Sequence, residues 1–160
     1  MIDLRAEPSY LDMLEITRQL RVRDKEELDA LVFDRSPEAH ARLAVASGAF
    51  RWGAYLDHQP VAAIGAHPLW PNVWQAWAYG TDDWPKVALT LTKHVRRFMI
   101  PAIYRTGAHQ VQALALSDHT AAARWLVSLG AIPAQKLDNY GRNQENFTRY
   151  VWTRQSVRTL

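Results

Sequence analysis

The sequence predicts an α/β (α+β) fold, a mixed and mostly antiparallel sheet with helices on both faces. Three observations predict it. Helix-start and helix-stop signals crowd the first third of the chain. From Phe50 to Tyr79 the pattern changes to strand-like runs joined by turns. Ser117 to Pro133, SDHTAAARWLVSLGAIP, then reads as a capped helix with a glycine stop between two apolar runs. Helices, a meander, a long helix, a strand, a helix and a last strand pair make one layered domain over residues 1–160.

Ser9 to Gln19 reads as a first helix, with Ser9 as its cap and a loose stripe of Leu11, Leu14, Ile16 and Leu20. Asp24 opens a second helix, DKEELDALVF, whose early acids suit the helix dipole. Ser36-Pro37 opens a third, which stops at Gly48. Phe50–Leu56 and Val61–Leu69 form a hairpin about the turn Asp57-His58-Gln59-Pro60. Ala62, Ala63, Gly65 and Ala66 are small, so something bulky packs over them. Asn72 to Tyr79 is a third strand, rich in aromatics.

Asp82 or Asp83 caps a long helix from about Trp84 to about Arg105, with Pro85 in its first turn. Val87, Leu91, His94, Val95 and Phe98 form its inner stripe, and Pro101 kinks or shortens it. Gln110–Leu116 is a buried strand. Thr120–Leu129 is a helix with Ala122, Trp125, Leu126 and Leu129 on one face and Gly130 as its stop. Ala131–Leu137 and Phe147–Thr153 close the chain as strands, with the polar DNYGRNQEN loop between them.

The 160 residues are 48% apolar, enough for a substantial core. Seven Trp imply a dense core or exposed anchors for a partner. The absence of cysteine excludes disulfides, thiolate zinc sites and cysteine nucleophiles. The N-terminus has early acids and no long apolar run, so neither a secretion signal nor a membrane span is expected, and synthesis is expected in the cytoplasm. Six His without a motif such as HExxH give no metal site; His67 lies on the hairpin and His94 on a helix. Net charge is +3 and the charges read as mixed through the chain. The clusters Arg18, Arg21, Arg23 and Lys93, Arg96, Arg97 read as solvated helix faces, so nucleic acid is not an expected partner.

The element order, with Ala122, Trp125, Leu126, Gly130 and Ala131, resembles the acyl-CoA-dependent acetyltransferases of the GNAT fold from about Ser9 to Trp152. Many of those enzymes have Tyr where Leu126 stands and Phe where Ala131 stands. Val73–Ala131 also resembles the GNAT-like internal virion proteins of short-tailed phages, where an aromatic strand leads into a long basic helix. The residues that carry this are Trp77, Asp82, Trp84, Lys86, Arg96, Arg97, Arg124, Trp125, Leu126, Gly130 and Ala131.

Acyl transfer from CoA needs backbone N–H groups for the diphosphate, a donor for the oxyanion, a base for the amine and an acid for the thiolate. The resemblance implies an Arg/Gln-x-x-Gly-x-Gly/Ala loop after the aromatic strand. This chain has Tyr79-Gly80-Thr81-Asp82-Asp83-Trp84-Pro85-Lys86 instead, with Gly80 left for flexibility. Pro85 removes a donor, and Asp82 and Asp83 set carboxylates where a diphosphate belongs. Leu126 cannot serve as the acid; Tyr140 and Tyr150 are the substitutes, and His119, Asp138 and Glu145 are candidate bases. A bound acyl-CoA is implied to lie against Trp77, Tyr79, Gly80, Lys86 and Trp125.

The expected function is therefore a GNAT-fold protein with a degenerate acyl-CoA site. It would serve as an internal virion or assembly component, bind other phage or assembly proteins through exposed aromatics, and need no cofactor. Its expected location is the host cytoplasm during synthesis and then the virion interior. The alternative is an active acetyl-CoA-dependent N-acetyltransferase with an atypical loop.

Overall fold

A computed structural model describes residues 1–48 and 50–158, the side chain of Arg158 excepted. Its strands are β1 (Ile2–Ala6), β2 (Arg51–Leu56), β3 (Gln59–Trp70), β4 (Val73–Gly80), β5 (Gln110–Leu116), β6 (Ile132–Leu137) and β7 (Phe147–Thr153). Its α-helices are α1 (Tyr10–Arg18), α2 (Val22–Ala30), α3 (Pro37–Ala46), α4 (Trp84–His94), α5 (Ile100–Arg105), α6 (Thr120–Ser128) and α7 (Arg154–Arg158). A π-helical turn, Val95–Met99, joins α4 to α5. The strands form one seven-stranded sheet in the order β1-β2-β3-β4-β5-β7-β6. β1–β2, β2–β3, β5–β7 and β6–β7 pair antiparallel, and β4–β5 pair in parallel. The mixed α/β fold with a mostly antiparallel sheet is the one read from the sequence.

The chain falls into two compact units, Met1–His67 with Trp77–Leu91, and Pro68–Ala76 with Thr92–Leu160. In the first, Ser9 caps α1 through a reciprocal box: its side chain accepts from the Asp12 N–H, and the Asp12 carboxylate accepts from the Ser9 N–H at 2.9 Å. Ser36 caps α3, with Pro37 at the first helical position. The Thr17 hydroxyl donates to the Pro37 carbonyl at 2.9 Å and ties α1 to α3. Their inner residues Met13, Ile16, Ala41 and Ala44 pack on Ala63 and Tyr79. Burying Met13 and Ile16 contributes roughly 1.5–3 kcal/mol each. A Cβ on Gly80, next along β4, would meet both Trp84 of α4 and Ala62 of β3. Successive strand residues face opposite ways, so helices cover both faces of the sheet here.

The small residues of β3 meet the bulk expected of them. A Cβ at Gly65 would stand 2.4 Å from the Trp77 ring and 2.9 Å from the Phe50 carbonyl. Trp77 in turn stacks on Tyr79 with ring centroids 5.2 Å apart.

In the second unit, Tyr104 donates to the Trp152 carbonyl and the Trp152 indole donates to the Leu129 carbonyl at 3.0 Å. The Trp125 indole donates to Thr92 Oγ1 at 2.8 Å and holds α6 to the end of α4. α6 ends in a full Schellman motif: Gly130 sits at φ 91, its N–H reaches the Val127 carbonyl, and the Ala131 N–H reaches the Leu126 carbonyl.

Several boundaries differ from the expectation, each for a physical reason. β1 was not expected: it is an edge strand exposed along most of its length, so it shows no apolar alternation. α2 begins at Val22 rather than at Asp24, and α7 adds a short terminal helix. Thr81, not Asp82 or Asp83, organises the start of α4. The Asp83 N–H donates to Thr81 Oγ1 at 3.3 Å and the Trp84 N–H to the Thr81 carbonyl at 3.0 Å.

The long helix is neither simply kinked nor shortened. It widens one turn before Pro101, where the Ile100 N–H reaches back to the Val95 carbonyl. Pro101 lacks an N–H and its ring crowds the carbonyl four residues earlier, which a wider turn relieves. The added residue carries Phe98 off the inner stripe and leaves it 48% exposed, whereas Val87, Leu91 and Val95 stay buried as expected. Among the described residues, no helix is long and apolar enough to cross a membrane.

Candidate functional site

The site that the sequence singles out begins where β4 ends. Gly80 closes the strand and Thr81–Asp83 connect it to α4. The Arg21 N–H donates to the Gly80 carbonyl at 2.9 Å. The Gly80 N–H donates to the Asp24 carboxylate at 2.8 Å. Asp24 is only 4% exposed, and the Arg21 guanidinium grips it with two nitrogens at 2.7–3.0 Å. That guanidinium lies 4.5 Å above the Trp84 ring centroid. Arg21 and Asp24, three residues apart at the start of α2, thus fasten the end of β4 and the first residue of α4 together.

This fastening decides whether a CoA diphosphate has a seat here. A diphosphate binds to backbone donors that a loop leaves free. In this connection the Gly80 N–H goes to Asp24 and the Thr81 N–H to the Val61 carbonyl at 2.8 Å. The Asp83 and Trp84 donors go to Thr81, Pro85 has none, and the Lys86 N–H goes to the Asp83 carbonyl. With their donors so engaged, Gly80, Thr81, Asp83, Trp84 and Lys86 do not fit the ordinary acyl-CoA seat. Gly80 is not there for flexibility either. A Cβ on it would lie 2.9 Å from Trp84, 2.9 Å from the Val61 carbonyl and 3.0 Å from Ala62, so close packing requires glycine. Lys86 is tied to Asp83 at 2.7 Å.

Of the other residues expected to touch a cofactor, Trp77 fills the space over Gly65, and Trp125 is spent on Thr92. Tyr79 is buried within the cluster of α1 and α3. Burial pushes its phenol far above the ordinary value, and its hydroxyl has no hydrogen-bond partner among the described residues. The proposed acid–base residues have unlike settings. His119 is buried at the N-cap position of α6. Tyr140 is half exposed in the β6–β7 turn, edge-on to Phe147 at 5.9 Å. Tyr150 is buried in β7 between Ala113 of β5 and Pro133 of β6. Leu126, in the place of the usual tyrosine, is a core residue.

Asp138 pairs with Lys136 at 3.5 Å, and Glu145 accepts from the Asn143 N–H at 2.8 Å, so both serve the turn. Burial holds His67 and His94 below the ordinary histidine value.

Sequence reasoning missed Asp24 and Arg21 as site residues. Their i, i+3 spacing marks an ion pair, but their partner Gly80 lies 56 residues away. It missed as well the pair His40 Nε2–Asp29, 2.9 Å apart, with Lys25 on the other Asp29 oxygen at 2.5 Å. Of the seven tryptophans, Trp70 at the tip of the β3–β4 hairpin is exposed; Trp52, Trp84 and Trp152 are buried, and the others are partly so. The aromatics thus serve chiefly the core.

No family model and no curated protein matches this sequence. Solved structures do. Ard1 from Thermoplasma volcanium aligns with a TM-score of 0.73 at 12% identity, covering 95% of this chain and 97% of that one. The putative acetyltransferase yncA from Salmonella typhimurium, solved with acetyl-CoA, aligns at 0.70 and 15% identity, covering 96% and 94%. A putative acetyltransferase from Acinetobacter baylyi aligns at 0.69 and 18% identity, covering 96% and 93%. Across nearly its whole length, this chain has the fold of the GNAT acetyltransferases.

Proposed function

We propose that this is a GNAT-fold protein that works through what it binds rather than through acyl transfer. The observation that carries the reading is the occupied end of β4. The buried Asp24 carboxylate takes the Gly80 N–H, and Thr81 and Val61 engage the donors around it. A fold hosts many functions, and the function follows from the site. An assembly role inside a phage particle is the form that the sequence resemblance gives this reading. Two of the matched structures named above are described as putative acetyltransferases, and none of the three lends that role support.

The second reading is acetyl-CoA-dependent N-acetyl transfer, and the comparisons favour it, one of the matched structures being solved with acetyl-CoA.

Thermal-shift titration with acetyl-CoA and with CoA, up to millimolar, separates the two. The expected result is no saturable shift. A ligand at a hundred times its Kd stabilises a native protein by about 2.7 kcal/mol, which is several degrees. A saturable shift of that size overturns the first reading and establishes an acyl-CoA site.

A further inference from the structure

The two units carry opposite charge. Met1–His67 with Trp77–Leu91 holds nine Lys and Arg against thirteen Asp and Glu. Pro68–Ala76 with Thr92–Leu160 holds ten against three. Their pairing differs too. In the first unit Arg5, Arg18, Arg21, Arg23, Lys25 and Lys86 each touch a carboxylate. In the second, Lys93, Arg96, Arg97, Arg105 and Arg124 have no acidic partner among the described residues. We propose that these five side chains form a docking surface for a nucleic-acid backbone. The inference goes beyond the reading above and stands whether or not the protein binds CoA.

The fold explains why they share a surface. Val95, Met99, Ile100 and Ile103 are buried, so the outer side of the α4–π–α5 rod is left to Lys93, Arg97, Phe98 and Arg105, with Arg96 half-buried beside them. The π turn before Pro101 is what carries Phe98 outward with Arg97. Lys93 to Arg105 spans about 18 Å of helix axis at 1.5 Å per residue. One nucleic-acid strand carries a phosphate about every 3.4 Å, so that length faces roughly five of them. Trp125, bonded to Thr92, holds α6 to the end of α4, and Arg124 next to it in sequence is exposed.

The chemistry selects among anions. An anionic membrane takes up a helix that lays an apolar face into lipid. Here that face is already in the core, and the outer side offers one ring, Phe98, among cations. Five unpaired cations on two helices also exceed what one diphosphate needs.

The test is fluorescence anisotropy with a labelled 20-nucleotide single strand and with its duplex, over a salt series. If all five cations engage phosphates, the log–log slope is about −3.5 for the single strand and about −4.5 for the duplex. Affinity then falls roughly 100- to 500-fold between about 50 and 200 mM salt. The double substitution Arg96→Gln with Arg97→Gln is expected to flatten the slope by about 1.4 to 1.8, with a melting midpoint no lower than the parent's. Arg18→Gln with Arg23→Gln, in the acidic unit, is expected to leave it alone. No binding at low salt overturns the proposal, as does binding that ignores the Arg96/Arg97 pair. So does capture by phosphatidylserine vesicles without capture of either oligonucleotide.

Discussion

Asp24 accepts from three donors, two on Arg21 and one on the Gly80 backbone, while almost out of reach of water. Asp24→Ala would leave the Arg21 charge unpaired beside Trp84 and the Gly80 N–H without an acceptor. Breaking a fully buried pair costs about 3–5 kcal/mol. Arg21 keeps 26% of its side chain exposed, so water offsets part of the loss and about 2–4 kcal/mol is expected. Urea denaturation measures it as a lower midpoint at unchanged slope. A loss below 1 kcal/mol would show that the pair is ornamental to the fold. In the sequence Asp24 was legible as a dipole-favoured acid and nothing more, because its distinctive bond crosses 56 residues. Asp29 makes a second residue-level case. Burial works to raise its pKa, but the Lys25 ammonium and the His40 ring outweigh that and hold it below the ordinary carboxylate value. The unfolded chain therefore takes up the proton first as pH falls. The stability Asp29 contributes is complete above about pH 4 and disappears as pH drops through its lower folded value. Asp29→Asn is expected to flatten the acid limb of a stability–pH curve measured by denaturant titration. A limb as steep as the parent's would mean that other carboxylates set it.

The elements whose ends carry chemical signals were the legible ones. Ser9, Ser36-Pro37 and Gly130 mark caps that local geometry enforces, and the helices begin or end beside them. β1 carried no signal, since an exposed edge strand has no buried face to write into its sequence. The Phe98 error has a different source: a stripe counted at 3.6 residues per turn drifts once a π turn adds one residue. The placement of the site's elements was legible, but the closing of the loop was not, because Thr81 rather than either aspartate accepts the donors. Gly130 offers the clean test at this scale. Its φ of 91 lies in the left-handed region, which costs an L-residue roughly 1–2 kcal/mol. Gly130→Ala is expected to lower stability by about that amount in chemical denaturation. The Trp152 indole donates to Leu129 next door, so the Trp152 fluorescence environment should shift with it. Unchanged stability would mean that the Schellman turn rearranges without penalty.

At the level of the whole chain, a net charge of +3 conceals an acidic unit and a strongly basic one. The sequence held the signal: all but three of its acids lie at or before Asp83. Reading the charges as mixed missed it, because the lysines and arginines are spread evenly and only the acids stop. Once they stop, the cations from Lys93 onward repel one another with few carboxylates nearby, and that self-repulsion opposes folding. Raising salt from about 0.01 M to about 0.15 M shortens the Debye length from about 30 Å to about 8 Å and screens it. The same salt weakens the ion pairs of the acidic unit, but exposed pairs contribute only about 0–1 kcal/mol each, and the Arg21–Asp24 pair is sheltered. The repulsion should dominate, so the thermal midpoint of the protein alone is expected to rise by a few degrees over this range, read by circular dichroism in potassium chloride. Replacing Arg96 and Arg97 by Gln is expected to raise the low-salt midpoint and shrink the salt effect together. A midpoint that falls with salt would show instead that the ion pairs of Met1–His67 govern the stability of the whole chain.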